Sequence, residues 1–161
     1  MFKFVFITTL IMLFARGYPS FWILIWPGTV AHELMHWVVG KVLGAKPGKI
    51  EILPEKFQHG KVRTVGSVIF YKANWFNALP TAAAPLLNIP LVFISSQHLH
   101  PGLTWLNVVL VWVLASILTQ SIPSMADWGM VLRRPIGAIF WLMLIIVAIA
   151  YNTRTFFHSI F

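Results

Sequence analysis

The chain alternates between long apolar stretches and short polar connections. Apolar residues dominate five segments, which cover residues 4–15, 21–43, 75–96, 103–122 and 136–151. A helix needs about 20 mainly apolar residues to cross the hydrocarbon core of a bilayer. The middle three segments have this length, and the last has it if the helix continues beyond Tyr151. We therefore predict a mainly α, polytopic membrane protein with about five transmembrane helices.

The first segment is the shortest of the five. Lys3 followed by an apolar run resembles a signal peptide, but no convincing small-x-small cleavage site follows it. We therefore expect residues 4–15 to form an uncleaved first span.

Composition favours a lipid environment and limits the possible chemistry. The 161 residues are 58% hydrophobic and 10% charged, and the mean hydropathy is +0.80. Soluble domains carry about a quarter charged residues, and one small core cannot bury this much apolar surface. The length predicts a single integral-membrane domain over residues 1–161. The absence of cysteine excludes disulfides, thiolate zinc sites and cysteine nucleophiles.

The basic residues predict the orientation. The net charge is +8; seven Lys and Arg residues lie between Lys41 and Lys72, and Arg133 and Arg134 lie together, whereas the connection 96–102 has neither type. This distribution is typical of the positive-inside bias and not of a nucleic-acid surface. We expect both basic connections and the N-terminus to be cytoplasmic. The small size and the lack of organelle signals favour a prokaryotic cytoplasmic membrane, with the lipid bilayer as a partner.

The basic linker 44–74 contains two segments that are typical of strands. Residues 49–53 and 61–71 are rich in Val, Ile, Thr and aromatic side chains, and Pro54 and Gly60 lie between them. We therefore predict a small β-hairpin or sheet on the cytoplasmic side.

The second apolar segment carries the strongest chemical signal, a His-Glu-x-x-His motif at His32-Glu33-Leu34-Met35-His36. Residues i and i+4 of a helix share one face, so both imidazoles can bind a single zinc ion. Glu33 lies one residue along, near enough to take a proton from a zinc-bound water. The alternative is a structural polar cluster between helices. Such a cluster needs several polar partners, and few exist in this chain.

Asp127 is the candidate for a third ligand. A catalytic zinc typically takes three protein ligands, and the chain has only four acidic residues, of which two lie in the basic linker and one is Glu33. In the predicted topology the second and fourth spans both run outside to inside, so Asp127 reaches the same membrane face as the motif. A helix cap or an ion pair with the neighbouring arginines is the alternative role. The other histidines are interpreted as surface residues: His59, His98, His100 and His158.

Prolines interrupt two of the predicted spans. Pro27 lies just over one turn before the His-Glu-x-x-His motif, where it either opens the helix to water or forms an ordinary kink. Pro80, Pro85 and Pro90 recur every five residues, so this segment cannot be one straight helix. Broken membrane helices are tolerated where they line a protein cavity. Asn88 of this segment is therefore a candidate for a polar contact with a bound peptide.

Four features, in this order, resemble the site-2 protease family of intramembrane zinc metalloproteases. They are the His-Glu-x-x-His motif in a span, the short β-rich linker, Ala84-Pro85-Leu86-Leu87-Asn88, and Pro123 followed by Asp127. Together they cover about residues 27–132. Three positions depart from the usual family pattern: Ala84 replaces Gly, the Asn that usually stands shortly before the Asp is absent from residues 119–121, and Trp128 follows Asp127 where Gly is typical. These departures concern the elements that bind the substrate.

The resemblance implies a set of roles for these residues. It implies His32, His36 and Asp127 as zinc ligands, Glu33 as the general base, and the linker as a strand that pairs with the substrate. We therefore expect a zinc metalloendopeptidase that cuts membrane proteins, single-span or signal-peptide-like, in or near the bilayer.

Two alternatives from other classes stay open. One is a non-catalytic zinc-containing membrane protein that binds or scaffolds a partner. The other is a metal or proton transporter that uses the intramembrane histidines, although the chain shows no inverted repeat of the kind that many transporters have.

Overall fold

The computed structural model describes residues 1–15, 21–52, 55–56, 62–63, 66–99 and 104–160. Most of these residues are helical and the linker contributes antiparallel strands, so the predicted mainly α class is confirmed. The helices are α1 (Phe2–Phe14), α2 (Phe21–Val42), α3 (Ala78–Ala83), α4 (Asn88–Gln97), α5 (Trp105–Thr119), α6 (Met125–Leu132) and α7 (Pro135–Ile160). The strands are β1 (Pro47–Glu51), β2 (Glu55–Lys56), β3 (Val62–Arg63) and β4 (Ser67–Phe70).

Helix α5 packs against both α1 and α2 and forms the centre of the helical bundle. Buried apolar side chains from these helices and from α4 make the core: Val5, Met12, Phe21, Ile25, Val92 and Ala115. Helices α2 and α5 approach closely at Gly28, where an added Cβ would overlap the Ser116 carbonyl group. Small residues permit such close approach between apolar helices. This contact holds the C-terminal end of α5 beside the His-Glu-x-x-His motif.

The proline-rich third segment is broken, as the sequence predicts. Helix α3 begins at Ala78 because Asn74 and Asn77 form a turn before it: each backbone N–H donates to the other residue's Oδ1, at 2.8 and 3.0 Å. A 3₁₀ turn over Ala84–Leu87 separates α3 from α4. Pro85 lies near the start of this turn, where its missing N–H interrupts α-helical hydrogen bonding.

The linker forms a two-stranded sheet beside α2. Strand β1 pairs antiparallel with β4, with Ile50 opposite Val68, and the short strands β2 and β3 pair with each other. The Trp37 indole N–H donates to the Gly48 carbonyl (3.1 Å) and attaches the sheet to α2. The prediction of strands in this linker is therefore confirmed, while several residues between β1 and β4 lie outside the described ranges.

A short helix, α6, lies in the connection 123–135, where hydrophobicity alone predicts only a link between spans. Ser124 is its N-cap: the Ser124 hydroxyl accepts from the Asp127 N–H, and the Asp127 carboxylate accepts from the Ser124 N–H, which is a capping box. The capping box marks the start of α6 in the sequence, whereas the hydrophobic pattern does not reveal a helix in this connection. Asp127 therefore lies on the first turn of a helix.

Two helical stretches within the described residues are long and apolar enough to cross a membrane, by length and composition: Ala78–Gln97 and Pro135–Thr153. Helices α1 and α5 are apolar but shorter. A buried core helix can pass the same test, but only 6% of the most apolar window of Pro135–Thr153 is buried. The number of five spans stays a prediction.

Candidate metal centre

His32 and His36 lie on the face of α2 that is turned towards α3, α5 and α6. They are one turn apart, and both side chains are buried. Their Nε2 atoms are 3.1 Å apart. The helix period alone explains why the two rings meet, since residues i and i+4 stack along one face.

Asp127 completes a group of three ligand-type side chains. Its Oδ1 lies 3.1 Å from His36 Nε2 and its Oδ2 lies 3.5 Å from His32 Nε2. The first turn of α6 directs the carboxylate, because Oδ2 also accepts from the Ser124 N–H and hydroxyl, each at 2.6 Å. Asp127 therefore acts as the capping-box residue and at the same time faces both imidazoles. The sequence offered these two roles as alternatives.

The three side chains lie close enough together to share one metal ion. The two Nε2 atoms are 3.1 Å apart, and each has one oxygen of Asp127 near it, Oδ1 for His36 and Oδ2 for His32. One ligand atom from each residue can be chosen so that all three lie within 4.8 Å of one another. The buried group of His32, His36 and Asp127 can therefore hold a metal ion.

The outer nitrogens of both imidazoles are held by backbone carbonyls. His32 Nδ1 lies 2.6 Å from the Gln120 carbonyl oxygen, and His36 Nδ1 lies 2.7 Å from the Thr81 carbonyl oxygen. A carbonyl only accepts hydrogen bonds, so each Nδ1 carries the proton, and a neutral ring then has its lone pair on Nε2. Two lone pairs and one carboxylate thus face a common point. Such a set of acceptors is stable only with a cation between them, a metal ion or a proton.

Two prolines leave these carbonyls available. In a regular α-helix the N–H of residue 85 would bond to the Thr81 carbonyl, but Pro85 has no N–H. The Thr81 carbonyl accepts from Ala84 instead and keeps a lone pair for His36. At the end of α5 the N–H four residues after Gln120 belongs to Ser124 and donates to Asp127, and Pro123 has no N–H, so the Gln120 carbonyl keeps a lone pair for His32. Each proline therefore helps to orient one histidine.

The Asp127 carboxylate is held in its ionised form. Burial by itself raises the pKa of this carboxyl, since it disfavours the charged form. When the group holds a proton instead of a metal ion, the contacts of the carboxylate with His32 and His36 and its hydrogen bond from Ser124 outweigh burial and hold the pKa of Asp127 well below its usual range. The negative charge of this group suits a cation ligand.

Glu33 lies beside the three ligand-type residues and is also buried. Its side chain packs on Gly66, where an added Cβ would lie 2.6 Å from Glu33 Cγ and 2.8 Å from Cδ. Both residues line a cavity of about 610 Å³, which is also lined by His32, His36 and Asp127. These last three residues are called the metal group below. The cavity lies between α2, β4 and α6, so a molecule that enters it contacts Glu33 and the metal group together.

The remaining predicted site residue lies apart from this cavity. Asn88 begins α4 and is buried, but it is not among the residues that line the cavity, and its Nδ2 has no hydrogen-bond partner among the described residues. Its contact with a bound peptide stays a prediction. His98 lies at the exposed end of α4, far along the chain from the group, while His59 and His100 lie outside the described residues.

Sequence reasoning missed four contributors to the site. Two of them supply backbone carbonyls that accept hydrogen bonds from the imidazoles, and the other two place the carboxylates of Asp127 and Glu33: Thr81 and Gln120, then Ser124 and Gly66. The spacing Ser-x-x-Asp before an apolar run is a readable capping signal and could have identified Ser124. The sequence carries no local signal for a carbonyl that accepts from a distant imidazole.

Comparisons with protein-family models, with curated proteins and with solved structures give no match to this chain.

Proposed function

We propose that this chain is a zinc metalloprotease of the site-2 protease type that cuts membrane proteins in or beside the bilayer. The observation that carries this proposal is the metal group: the ligand atoms of His32, His36 and Asp127 lie within 4.8 Å of one another, and both imidazoles are oriented by backbone carbonyls. Glu33 lies beside them in the same cavity. Proteins that hydrolyse peptides with zinc combine these elements.

Zinc is the metal that suits this donor set best. Catalytic zinc sites with two histidines and one carboxylate leave a fourth position open for water or substrate. When bound, zinc would polarise the scissile carbonyl and make water more acidic. The hydrogen-bonded Nδ1 atoms of His32 and His36 supply the outer contacts that orient such ligands and raise their basicity.

Glu33 is the general base of the proposed reaction. It accepts a proton from the attacking water and passes that proton to the leaving amine when the peptide bond breaks. Its carboxylate lies on the cavity wall beside the metal group, and Gly66 leaves just enough room for it. Removing the carboxylate while keeping its shape should therefore stop hydrolysis without removing the metal.

Strand β4 offers a way to hold the substrate. A transmembrane helix resists cleavage because its carbonyls are hydrogen-bonded internally, so the substrate must be extended locally. Among the described residues β4 pairs only with β1, and Ser67, Val68 and Phe70 line the cavity. An extended peptide added to the other edge of β4 would satisfy its backbone groups and pass the metal group. Single-span or signal-peptide-like proteins are suitable substrates.

Large exposed apolar surfaces support a membrane location. Between residues 136 and 151, helix α7 presents many exposed apolar side chains, including Leu142, Ile146 and Ile149, which are each more than half exposed. Monomeric soluble proteins rarely expose contiguous apolar patches of this extent. We propose that lipid covers α7 and the outer faces of α1, α4 and α5, with the N-terminus cytoplasmic and about five spans.

The first experiment measures zinc per polypeptide in detergent-purified protein. We expect about one zinc in the wild type and a large loss in Asp127→Ala and His36→Ala, because each variant removes one of three ligands. His98→Ala is the matched control, since it removes a histidine from the surface. Zinc that is retained in both ligand variants would contradict the proposed site.

The second experiment tests catalysis with Glu33→Gln. We expect this variant to keep its zinc and to lose cleavage by roughly 10²–10⁴-fold, the usual contribution of a positioned general base. Wild-type cleavage by this variant would contradict the proposed role. Zinc binding without any cleavage in the wild type would favour a scaffold, and metal flux in liposomes would favour a transporter.

A further inference from the structure

A second cavity of about 430 Å³ adjoins the cavity that contains the metal group. The two share four lining residues, Phe70, Met125, Ala126 and Met130, so together they form one continuous groove between β4 and α6. Strand β4 runs along it from the metal group towards the second cavity. An extended peptide that lies along β4 in the cavity of the metal group therefore has a continuous path into the second cavity.

The far end of this groove carries two guanidinium groups. Arg133 and Arg134 line the second cavity, and its other lining residues are apolar or glycine. Arg134 is partly buried and donates one hydrogen bond to the Met130 carbonyl (3.2 Å) at the end of α6. A guanidinium has five N–H donors, so most of its hydrogen-bonding capacity remains for a ligand. No acidic side chain among the described residues lines this cavity.

We propose that Arg133 and Arg134 form a subsite that binds an acidic side chain of the substrate, and this inference rests on the proposed protease function. The planar guanidinium fork matches the geometry of a carboxylate. The subsite makes an acidic residue near the cleavage site a determinant of specificity.

The helix geometry gives the position of that acidic residue. Arg133 and Arg134 follow Asp127 by six and seven residues, which corresponds to about 10 Å along α6. An extended peptide advances about 3.3 Å per residue. The acidic side chain therefore lies about three residues from the cleaved bond. It lies on the N-terminal side if the substrate pairs antiparallel with β4 and on the C-terminal side if it pairs parallel.

The test uses a proteome-derived peptide library, with cleavage sites identified by mass spectrometry and Glu33→Gln as the background. We expect Asp and Glu to be enriched two to four residues from the cleaved bond, on one side only. Two peptides that differ by Asp or Asn at that position then give a rate ratio, which we expect to be roughly tenfold in favour of Asp. Cleavage without acidic enrichment overturns the subsite and leaves the protease function intact. No cleavage above the background overturns the protease function itself.

Variants assign the preference to the arginines. In Arg134→Gln, and more completely in Arg133→Gln/Arg134→Gln, the Asp-to-Asn ratio should fall towards one, whereas Lys41→Gln, which removes a charge outside both cavities, should leave the ratio unchanged. Arg133→Glu/Arg134→Glu should reverse the preference to a peptide with Lys at that position, an effect that general loss of folding cannot produce. If all three arginine variants keep the wild-type ratio, the assignment is overturned. If the arginine variants keep the wild-type ratio and lose only their binding to anionic liposomes, the subsite binds a lipid headgroup and not the substrate.

Discussion

A methyl group at Gly28 tests whether the contact between α2 and α5 controls the metal group. The Cβ of Gly28→Ala would lie 2.5 Å from the Ser116 carbonyl carbon, whereas ordinary van der Waals contact begins at 3.4 Å. The Ser116 carbonyl oxygen would lie closer still, so the two helices must separate by at least about 0.9 Å. Four residues further along the two helices, His32 on α2 and Gln120 after α5 form a hydrogen bond. The separation of the helices at Gly28 and Ser116 therefore also acts on that bond.

The hydrogen bond between His32 and Gln120 should break as a result. A separation of about 0.9 Å lengthens the distance from Nδ1 to the carbonyl oxygen from 2.6 Å to about 3.5 Å, which is outside hydrogen-bonding range. Loss of an outer contact to a metal-binding histidine typically reduces metal affinity by about 10- to 100-fold. Alanine is also a better helix former than glycine, which offsets part of the packing loss. Metal affinity should therefore change more than the free energy of unfolding.

The assay is a zinc competition titration with a fluorescent chelator, at neutral pH in detergent. Gly129→Ala is the matched control, because it adds the same methyl group to α6, where no atom of another described element lies within 4 Å. We expect the Gly28 variant to bind zinc about 10- to 100-fold more weakly and the control to bind as the wild type does. Wild-type affinity in a folded Gly28→Ala protein would refute the argument that this contact positions His32.

Three further predictions follow from the site and the topology. Gly66→Ala should displace the Glu33 carboxylate, so we expect cleavage to fall by roughly 10²-fold at unchanged zinc content. If the variant lost its zinc together with its activity, the displacement of Glu33 would not be the cause. Zinc affinity should fall as the pH decreases, because zinc binds only to deprotonated ligands. Asp127, whose pKa is held well below its usual range, stays ionised, so a zinc affinity that does not change with pH would contradict the imidazole ligands. The chain has no native cysteine, so a membrane-impermeant maleimide should label His98→Cys in intact cells and Lys49→Cys only after permeabilisation; the reverse pattern would invert the proposed orientation.

Local periodicity determined the central part of the site. The pair His32 and His36 and the neighbouring Glu33 could be identified from the sequence because a helix places residues i and i+4 on one face. The scarcity of acidic residues in an apolar chain selected Asp127. These inferences depend on short-range geometry or on composition, and both are fully visible in the sequence.

The sequence predicted the helical segments better than their ends. Pro80, Pro85 and Pro90 predicted a broken third segment because proline cannot donate a backbone hydrogen bond. The start of α3 depends on side-chain hydrogen bonds between Asn74 and Asn77, which a hydrophobic pattern does not contain. Helix α6 was missed for the same reason, since its capping box is a polar signal within a short connection.

Only the tertiary structure decided which distant groups complete the site. The carbonyls of Thr81 and Gln120 accept from imidazoles 45 and 88 residues away along the chain. Gly66 adjoins Glu33, and the groove leads from the metal group to Arg134, because α2, β4 and α6 pack together. The sequence specifies each element through local hydrogen bonding and periodicity. Contacts between elements depend on how whole faces fit in three dimensions, and no single segment encodes that fit.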